Sequence, residues 1–449
     1  MTMETILSYL GASGLDTDVV RLAPNQRRDP TRLHAGIADP LCFRDALLAL
    51  HDVVRSELFV SPEEIPRRLD PLITVTPEGV FFEAFSLDES SYGRVALRPG
   101  ALTGLRDTSY GCTNIDFSPG LVSGLRQIRS GRPMSLEVAR EGIVVEHDGR
   151  QDREVKIELP DSWMRGFLEV QAALGLPSQT LTLAPIDLGN VLAYLRGRKE
   201  KESPRGLVFE LGPSPKVTVE PWDQTFVLRK SSYEGPPATV KVWGRRRLLL
   251  LDKVLPRASQ IRVRFLGTGG PSFWTCDLGS ISFLLGMSAW SAREWTSSDC
   301  FRLFEPPAAN ESSLARTLAT LEERLVLADG DRAALGQLCL LGRAMFDPET
   351  GRWFARRVFS ENPPDPAPMT QREREAEQML ALGQVQSIAT AGDRHEALVK
   401  GRYHVMCEVG RDGRLAAGRC DCAFYGRMSL QRGPCKHLIA LHRKVTRAA

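Results

Sequence analysis

The 449-residue sequence predicts an α+β multidomain protein: a helical N-terminus, a repeated β-rich central region, a small helical unit ending in a hairpin, and a C-terminal metal-ligating unit of two strands and a helix. Three observations predict it. An apolar stripe of helical period runs through "CFRDALLALHDVVRSEL" (42–58), the period changes to two from about Ile73, and Cys-x-Cys stands twelve residues ahead of Cys-x-His in "GRCDCAFYGRMSLQRGPCKHLIAL" (418–441).

The length suits roughly three domains of about 100 to 200 residues. At 42 % hydrophobic, 25 % charged and 7 % aromatic, the composition is that of an ordinary globular protein, and 58 basic against 55 acidic residues leave a net charge of only +3. A polycation is excluded. The start "MTMETILSYL" carries an acidic residue where a secretory signal has a basic one. The longest uncharged runs, 170–186 and 278–292, fall short of the ~20 apolar residues that span a bilayer. A cytoplasmic protein without a membrane segment is therefore expected. Nine cysteines, an odd number in a long chain, do not read as a disulfide framework, and Cys42, Cys112, Cys276, Cys300, Cys339 and Cys407 stand singly as core residues.

Residues 1–70 form the helical N-terminal region, in which Phe43, Leu47, Leu50 and Val54 make one apolar stripe before "SPEEIPRRLDP" breaks the pattern. Residues 71–305 form the β-rich region. It opens on "TVTPEGVFFEAFSLDESSYGRVAL", short strands joined by turns, and then carries three strand-helix-strand copies beginning at Thr113, Leu181 and Val240. In their helical parts Leu121, Leu125 and Ile128 correspond to Leu188, Leu192 and Leu195, and then to Leu251, Val254 and Leu255. The unit resembles the repeat of DNA sliding clamps, and "SLDESSYGRVAL" is similar to a clamp strand pair. An α+β scaffold with an unrelated repeat is the other reading. Trp274, Trp290 and Trp295 close this region as core residues beside Phe273, Phe283 and Leu285. "GTGGPS" (267–272) lacks the Lys and Ser/Thr of a phosphate loop and reads as a turn, and no catalytic constellation is visible along the chain. A non-enzymatic role is expected.

Residues 306–369 lie between "EPPAANESS" and "ENPPDPAPM" and contain two helices followed by a hairpin turned at Glu349 to Gly351. The unit is similar to a winged-helix module. Its Arg352, Arg356 and Arg357 then touch phosphates, or the wing serves packing or protein contact.

Residues 370–449 carry the chemistry. Cys420, Cys422, Cys435 and His437 offer three thiolates and one imidazole, the donor set of tetrahedral zinc. Four protein ligands close the shell, so the single Zn2+ is structural rather than hydrolytic. Cys420 and Cys422 flank Asp421 at a strand end, while Cys435 and His437 open the helix "CKHLIALHRKV" behind Pro434, where the helix dipole favours thiolates. His442 lies five residues beyond His437 and on another face, and His404 and Cys407 lie in the preceding strand. Between Lys400 and Ala449 eleven basic residues face three acidic ones. This is an electrostatic footprint for a phosphate backbone, with Arg419, Arg427, Arg432, Lys436, Arg443 and Lys444 as contacts and Phe424 and Tyr425 as stacking platforms. A thiolate-rich zinc site also attracts such cations for its own neutralisation, so DNA or RNA binding and a protein adaptor role both stay open.

This cysteine-histidine pattern, with "GRYHVMCEV" before it and "LIAL" after it, resembles the SWIM zinc finger, a fold of two strands and a helix around one zinc; the match covers about 50 residues. More broadly, "YGCTNIDFS", "WMRGFLEVQ", "LGMSAW" and "LCLLGRAMFD" are similar to stretches of the bacterial SWIM proteins encoded beside a MoxR-type AAA+ ATPase and a von Willebrand A-domain protein. That resemblance implies an accessory subunit working with such an ATPase.

Overall fold

A computed structural model describes residues 31–56, 71–114, 119–129, 134–138, 161–200, 206–288, 295, 310–358, 371–410, 415–428, 430 and 434–447, together with the backbone of short strands at 6–7, 14–16, 19–22 and 157–158. It is a mixed α and β protein organised around one antiparallel sheet of nine strands. In spatial order these are Ser232–Tyr233, Gln179–Leu183, Gln260–Phe265, Ser272–Asp277, Ile281–Met287, Ser91–Leu97, Gly79–Phe85, Leu72–Thr76 and Gly111–Asn114. The pairing of Ile281–Met287 with Ser91–Leu97 joins two stretches far apart in sequence into one surface.

Helix α1 (Pro40–Arg55) forms where the apolar stripe predicts it. Asp39 caps it by accepting from the Cys42 backbone amide at 2.9 Å, and Pro40 occupies the first turn, where no amide donor is needed. Phe43, Leu47 and Leu50 are fully buried against Val80, Phe82 and Val95 of the sheet. The N-terminal region is nevertheless not simply helical. Strands Gly14–Asp16, Val19–Leu22 and Arg32–Ile37 precede α1 and join a five-stranded sheet with Leu102–Ser109 and Ser135–Val138. The alternation in "RLHAGI", with Leu33, Ala35 and Ile37 buried, is its signature.

The three strand-helix-strand copies are present as secondary structure. Helix α2 (Pro119–Gln127) follows Gly111–Asn114, and helix α3 (Asp161–Leu174), absent from the sequence expectation, precedes Gln179–Leu183. Helix α4 (Pro185–Arg196) continues the second copy, while the third replaces its helix by 3-10 turns at Arg245–Leu251 and Leu255–Arg257. Leu121, Leu125, Leu188, Leu192, Leu195, Leu251 and Val254 all enter one core. Trp274 and Trp295 are buried, and Trp290 lies outside the described residues, as does Cys300. The other single cysteines are buried and form no disulfide among the described residues.

The opposite face of the nine-stranded sheet is covered as well. Helices α5 (Glu311–Arg324) and α6 (Arg332–Leu340) lead to the hairpin Ala344–Asp347 and Arg352–Ala355, which lies against Phe81 and Ala96. Two buried polar contacts hold it there. Asp347, with no exposed surface, accepts from Arg94 at 2.8 Å and from Arg98 at 2.6 Å. Arg356 sits 3.1 Å from buried Glu83, which also accepts from Tyr92 and, at 2.8 Å, from Gln171 of α3. Arg352 pairs with Glu78. Of the wing-like arginines, Arg356 is thus consumed in packing, Arg352 is exposed and paired with Glu78, and Arg357 is exposed.

The last part of the chain opens on the helix that "QREREAEQMLALGQV" predicts and holds two strands more than the expected pair. Helix α7 (Gln371–Ala381) leads into four antiparallel strands, Val385–Ala391, Arg394–Val399, Tyr403–Val409 and Leu415–Cys420, followed by helices α8 (Ala423–Met428) and α9 (Lys436–Thr446). Trp243 of the central region packs into its core. Among the described residues no helix is long and apolar enough to cross a membrane.

Burial by itself raises the Asp347 carboxyl, but Arg94 and Arg98 outweigh it and hold the group from 3.8 down to about 2. The contribution is therefore present above pH 3.8 and fades as pH falls toward 2. Asp347→Asn strands two guanidiniums and is expected to cost about 3–5 kcal/mol. Hydrogen exchange over residues 344–355 reads this out: protection drops in the variant at neutral pH, and unchanged protection contradicts the anchoring role.

Candidate metal centre

Strand Leu415–Cys420 delivers Cys420 at its last residue, and the turn that follows delivers Cys422. Cys435 is the N-cap of α9 and His437 lies in its first turn. The helix packs closely on the sheet. A Cβ added at Gly418 would lie 2.8 Å from the tip of the Leu438 side chain, which would have to shift to admit it. The ligand atoms of Cys420, Cys422, Cys435 and His437 all lie within 4.8 Å of one another, and each residue is at most 5 % exposed.

The spacing fits a tetrahedral ion. Zinc bonds of about 2.3 Å to sulfur and about 2.05 Å to nitrogen put those two donors about 3.6 Å apart at a tetrahedral angle. Cys420 Sγ and His437 Nδ1 are 3.6 Å apart. With four protein donors in the shell, a bound ion has no place for a reacting water, which makes it a structural element. His437 would bind through Nδ1, with its ring stacked on Tyr403 at a centroid distance of 4.2 Å. The Tyr425 amide donates to Cys422 Sγ at 3.4 Å, the type of contact that steadies a thiolate. Cys435 at the helix N-cap agrees with the expected dipole assistance. His442 is buried and His404 exposed, and neither belongs to the cluster, while Cys407 is a core residue.

Without metal the thiols crowd one another. Cys422 is pushed up to about 12 by its hydrogen bond with Cys435 and by burial, and Cys435 to about 12 by its hydrogen bond with Cys420 and by burial, the bond from Cys422 opposing this. Burial lowers His437, which favours the neutral imidazole a metal requires.

The cations expected to contact nucleic acid are divided. Arg419, Arg427 and Lys444 are exposed, and Arg432 lies outside the described residues. Lys436 pairs with Glu375. Arg443, only 2 % exposed, lies 2.6 Å from Glu377 and 3.8 Å from Glu373, and is closed to a phosphate. The Phe424 ring is half-buried under Arg372 at 5.1 Å, and Tyr425 donates from its hydroxyl to Gly418 O at 2.7 Å. Both rings are engaged within the loop between the ligand pairs, and Arg372 also donates to the carbonyl of Pro434 at 2.9 Å. Sequence reading missed Tyr403 and the acidic face of α7. The i, i+2, i+4 run of glutamates in "QREREAEQ" matched against cations on α9 was the available signal.

No family model matches this chain, and no curated protein matches it. Among solved structures the chain is similar to proliferating cellular nuclear antigen from Entamoeba histolytica, at 9 % identity and a TM-score of 0.40, over 57 % of this chain and 98 % of that one. A likeness of that size carries no functional weight.

Zinc binding must expel at least the Cys422 and Cys435 protons at neutral pH, so affinity rises with pH and metal is lost on acidification. Calorimetric titration of metal-free protein in buffers of differing ionisation enthalpy is expected to report at least two protons released per zinc, and a buffer-independent heat refutes the assignment. Cys435→Ser is expected to lower zinc content well below one per chain and to unfold the segment from 400 to 447, read as lost hydrogen-exchange protection there.

Proposed function

We propose that this protein is a non-enzymatic, zinc-binding accessory protein whose C-terminal unit is a SWIM-type zinc finger. It is a bacterial adaptor subunit that works with a MoxR-type AAA+ ATPase and a von Willebrand A-domain protein, and its zinc unit contacts a protein client. The observation that carries the reading is the closed, buried Cys420, Cys422, Cys435 and His437 cluster, which suits a structural ion and no hydrolytic one. Partner identity rests on the resemblance of the sequence to that family.

Protein rather than nucleic acid is favoured by two features of the surface. Three cations at or just beyond α9, Lys436, Arg443 and Arg447, are paired with α7. In addition, strand Val385–Ala391 is, among the described residues, an edge of the C-terminal sheet, carries no charged residue, and exposes Ile388; Leu382, three residues before the strand, is 70 % exposed. Uncharged, exposed edges of this kind accept an extended segment of another chain. A nucleic-acid surface is the second reading, resting on exposed Arg419, Arg427 and Lys444.

Fluorescence anisotropy of the zinc-loaded full chain against labelled DNA and RNA at low and then moderate salt separates the two. The adaptor reading expects weak binding, and retention of the ATPase or the von Willebrand A-domain protein that falls at least tenfold in Ile388→Lys. Tight binding that drops by orders of magnitude with salt, and is lost on charge reversal of Arg419, Arg427 and Lys444, reverses the conclusion.

A further inference from the structure

A histidine that holds a metal through one ring nitrogen almost always donates the other ring N–H to a carboxylate, a backbone carbonyl or water, and that bond fixes which nitrogen faces the ion. His437 departs from this pattern. Its Nδ1 lies 3.6 Å from Cys420 Sγ, while Nε2, across the ring, is buried and has no hydrogen-bond partner among the described residues. The whole residue is only 3 % exposed, so bulk water does not stand in for the missing acceptor.

What meets the imidazole instead is an aromatic plane. Tyr403 stacks on it with ring centroids 4.2 Å apart and planes inclined by 26°. Tyr403 is itself fixed: it opens strand Tyr403–Val409, and Arg402 donates to its hydroxyl at 2.5 Å with the guanidinium carbon 4.5 Å from the ring centroid. Val405, two residues on, pairs with Cys420 in the ladder, which puts the Tyr403 ring on the same face of the sheet as the first ligand thiol. The torsion that turns an imidazole about its Cβ–Cγ bond is soft and roughly two-fold, so an unrestrained ring would swing Nδ1 away from the ion. A plane lying on the ring face opposes that rotation, because turning drives the imidazole edge into it. Metal binding draws electrons out of the imidazole, and the electron-rich face of tyrosine suits such a partner.

Resting on the reading of this cluster as a zinc site, we propose that Tyr403 is the positioning residue of His437: its ring face, in place of a hydrogen bond at Nε2, holds Nδ1 toward the ion.

The test uses the full chain, with zinc content from elemental analysis, zinc affinity from competition with a chromogenic chelator, and long-range 1H–15N correlation of the histidine rings. The zinc-loaded parent is expected to show His437 bound through Nδ1, with an Nε2 proton that exchanges slowly with water because it is buried. Tyr403→Phe keeps the ring and is expected to hold zinc within about twofold of the parent, whereas Tyr403→Leu loses on the order of tenfold in affinity and its Nε2 proton exchanges rapidly. Tyr403→Leu binding zinc as tightly as the parent, Tyr403→Phe falling as far as Tyr403→Leu, or a parent spectrum with the metal on Nε2 each overturn the proposal, and the parent spectrum decides without any variant having to fold. One zinc per chain with a dispensable Tyr403 removes this proposal alone, while a parent chain that takes up no zinc removes the metal reading with it.

Discussion

The molecule depends on a sheet that is buried on both faces. Strands Gly79–Phe85 and Ser91–Leu97 have all their residues buried, and the two faces meet different partners. Val80, Phe82, Val95 and Leu97 meet α1 in the larger core, while Phe81, Glu83, Phe85, Tyr92 and Arg94 look the other way. An antiparallel sheet ordinarily keeps one face wet, and then Glu83 and Arg94 would need no partners. Here the second face is roofed by α3 and by the hairpin from 344 to 355, so the two charges must be answered from that roof. Asp347 and Arg356 answer them. Alternation along the strands thus determines where the α5–α6 unit sits.

The C-terminal unit solves a different problem. Its core is small, and its ligand helix α9 carries cations along the side opposite the ligands. A bound zinc would contribute on the order of 10 kcal/mol to such a unit, but only if α9 stays docked against the strands. Helix α7 supplies the docking charge through Glu373, Glu375 and Glu377 against Arg443, Lys436 and Arg447. The partly exposed members of this set are worth little singly. Arg443 differs, because its burial commits it to Glu377 and makes the α7–α9 orientation specific.

Several parts of this were legible in the sequence for physical reasons. Period 3.6 marked α1, period 2 marked the strands from Leu72 to Leu97, and the repeat residues are buried apart from Ile128 and Leu255, which are partly buried. The metal cluster was legible because ligand spacing is a local property: Cys420 and Cys422 share a strand end, and Cys435 and His437 share a helix turn. What was not legible is tertiary. Nothing local distinguishes Arg356, which pairs with Glu83 across 273 residues, from an arginine on a free wing. Strands of two to four residues before α1 are too short for periodicity to register.

The basic excess of the C-terminus illustrates how a tertiary partner changes a functional inference. Of the eleven cations between Lys400 and Ala449, Lys436, Arg443 and Arg447 are paired with α7. Arg411, Arg414 and Arg432 lie outside the described residues. That leaves Lys400, Arg402, Arg419, Arg427 and Lys444 exposed and without an ion pair among the described residues. Each phosphate neutralised adds about 0.9 to the salt slope on duplex DNA, so the described surface supports at most about half the slope that the raw count of eleven suggests. Meanwhile the aromatic rings that would stack on bases are occupied, Phe424 beneath Arg372 and Tyr425 through its bond to Gly418. Beside those five cations the unit also exposes an uncharged edge strand, Val385–Ala391, with Ile388 40 % exposed, and the proposal of a polypeptide partner rests on that edge.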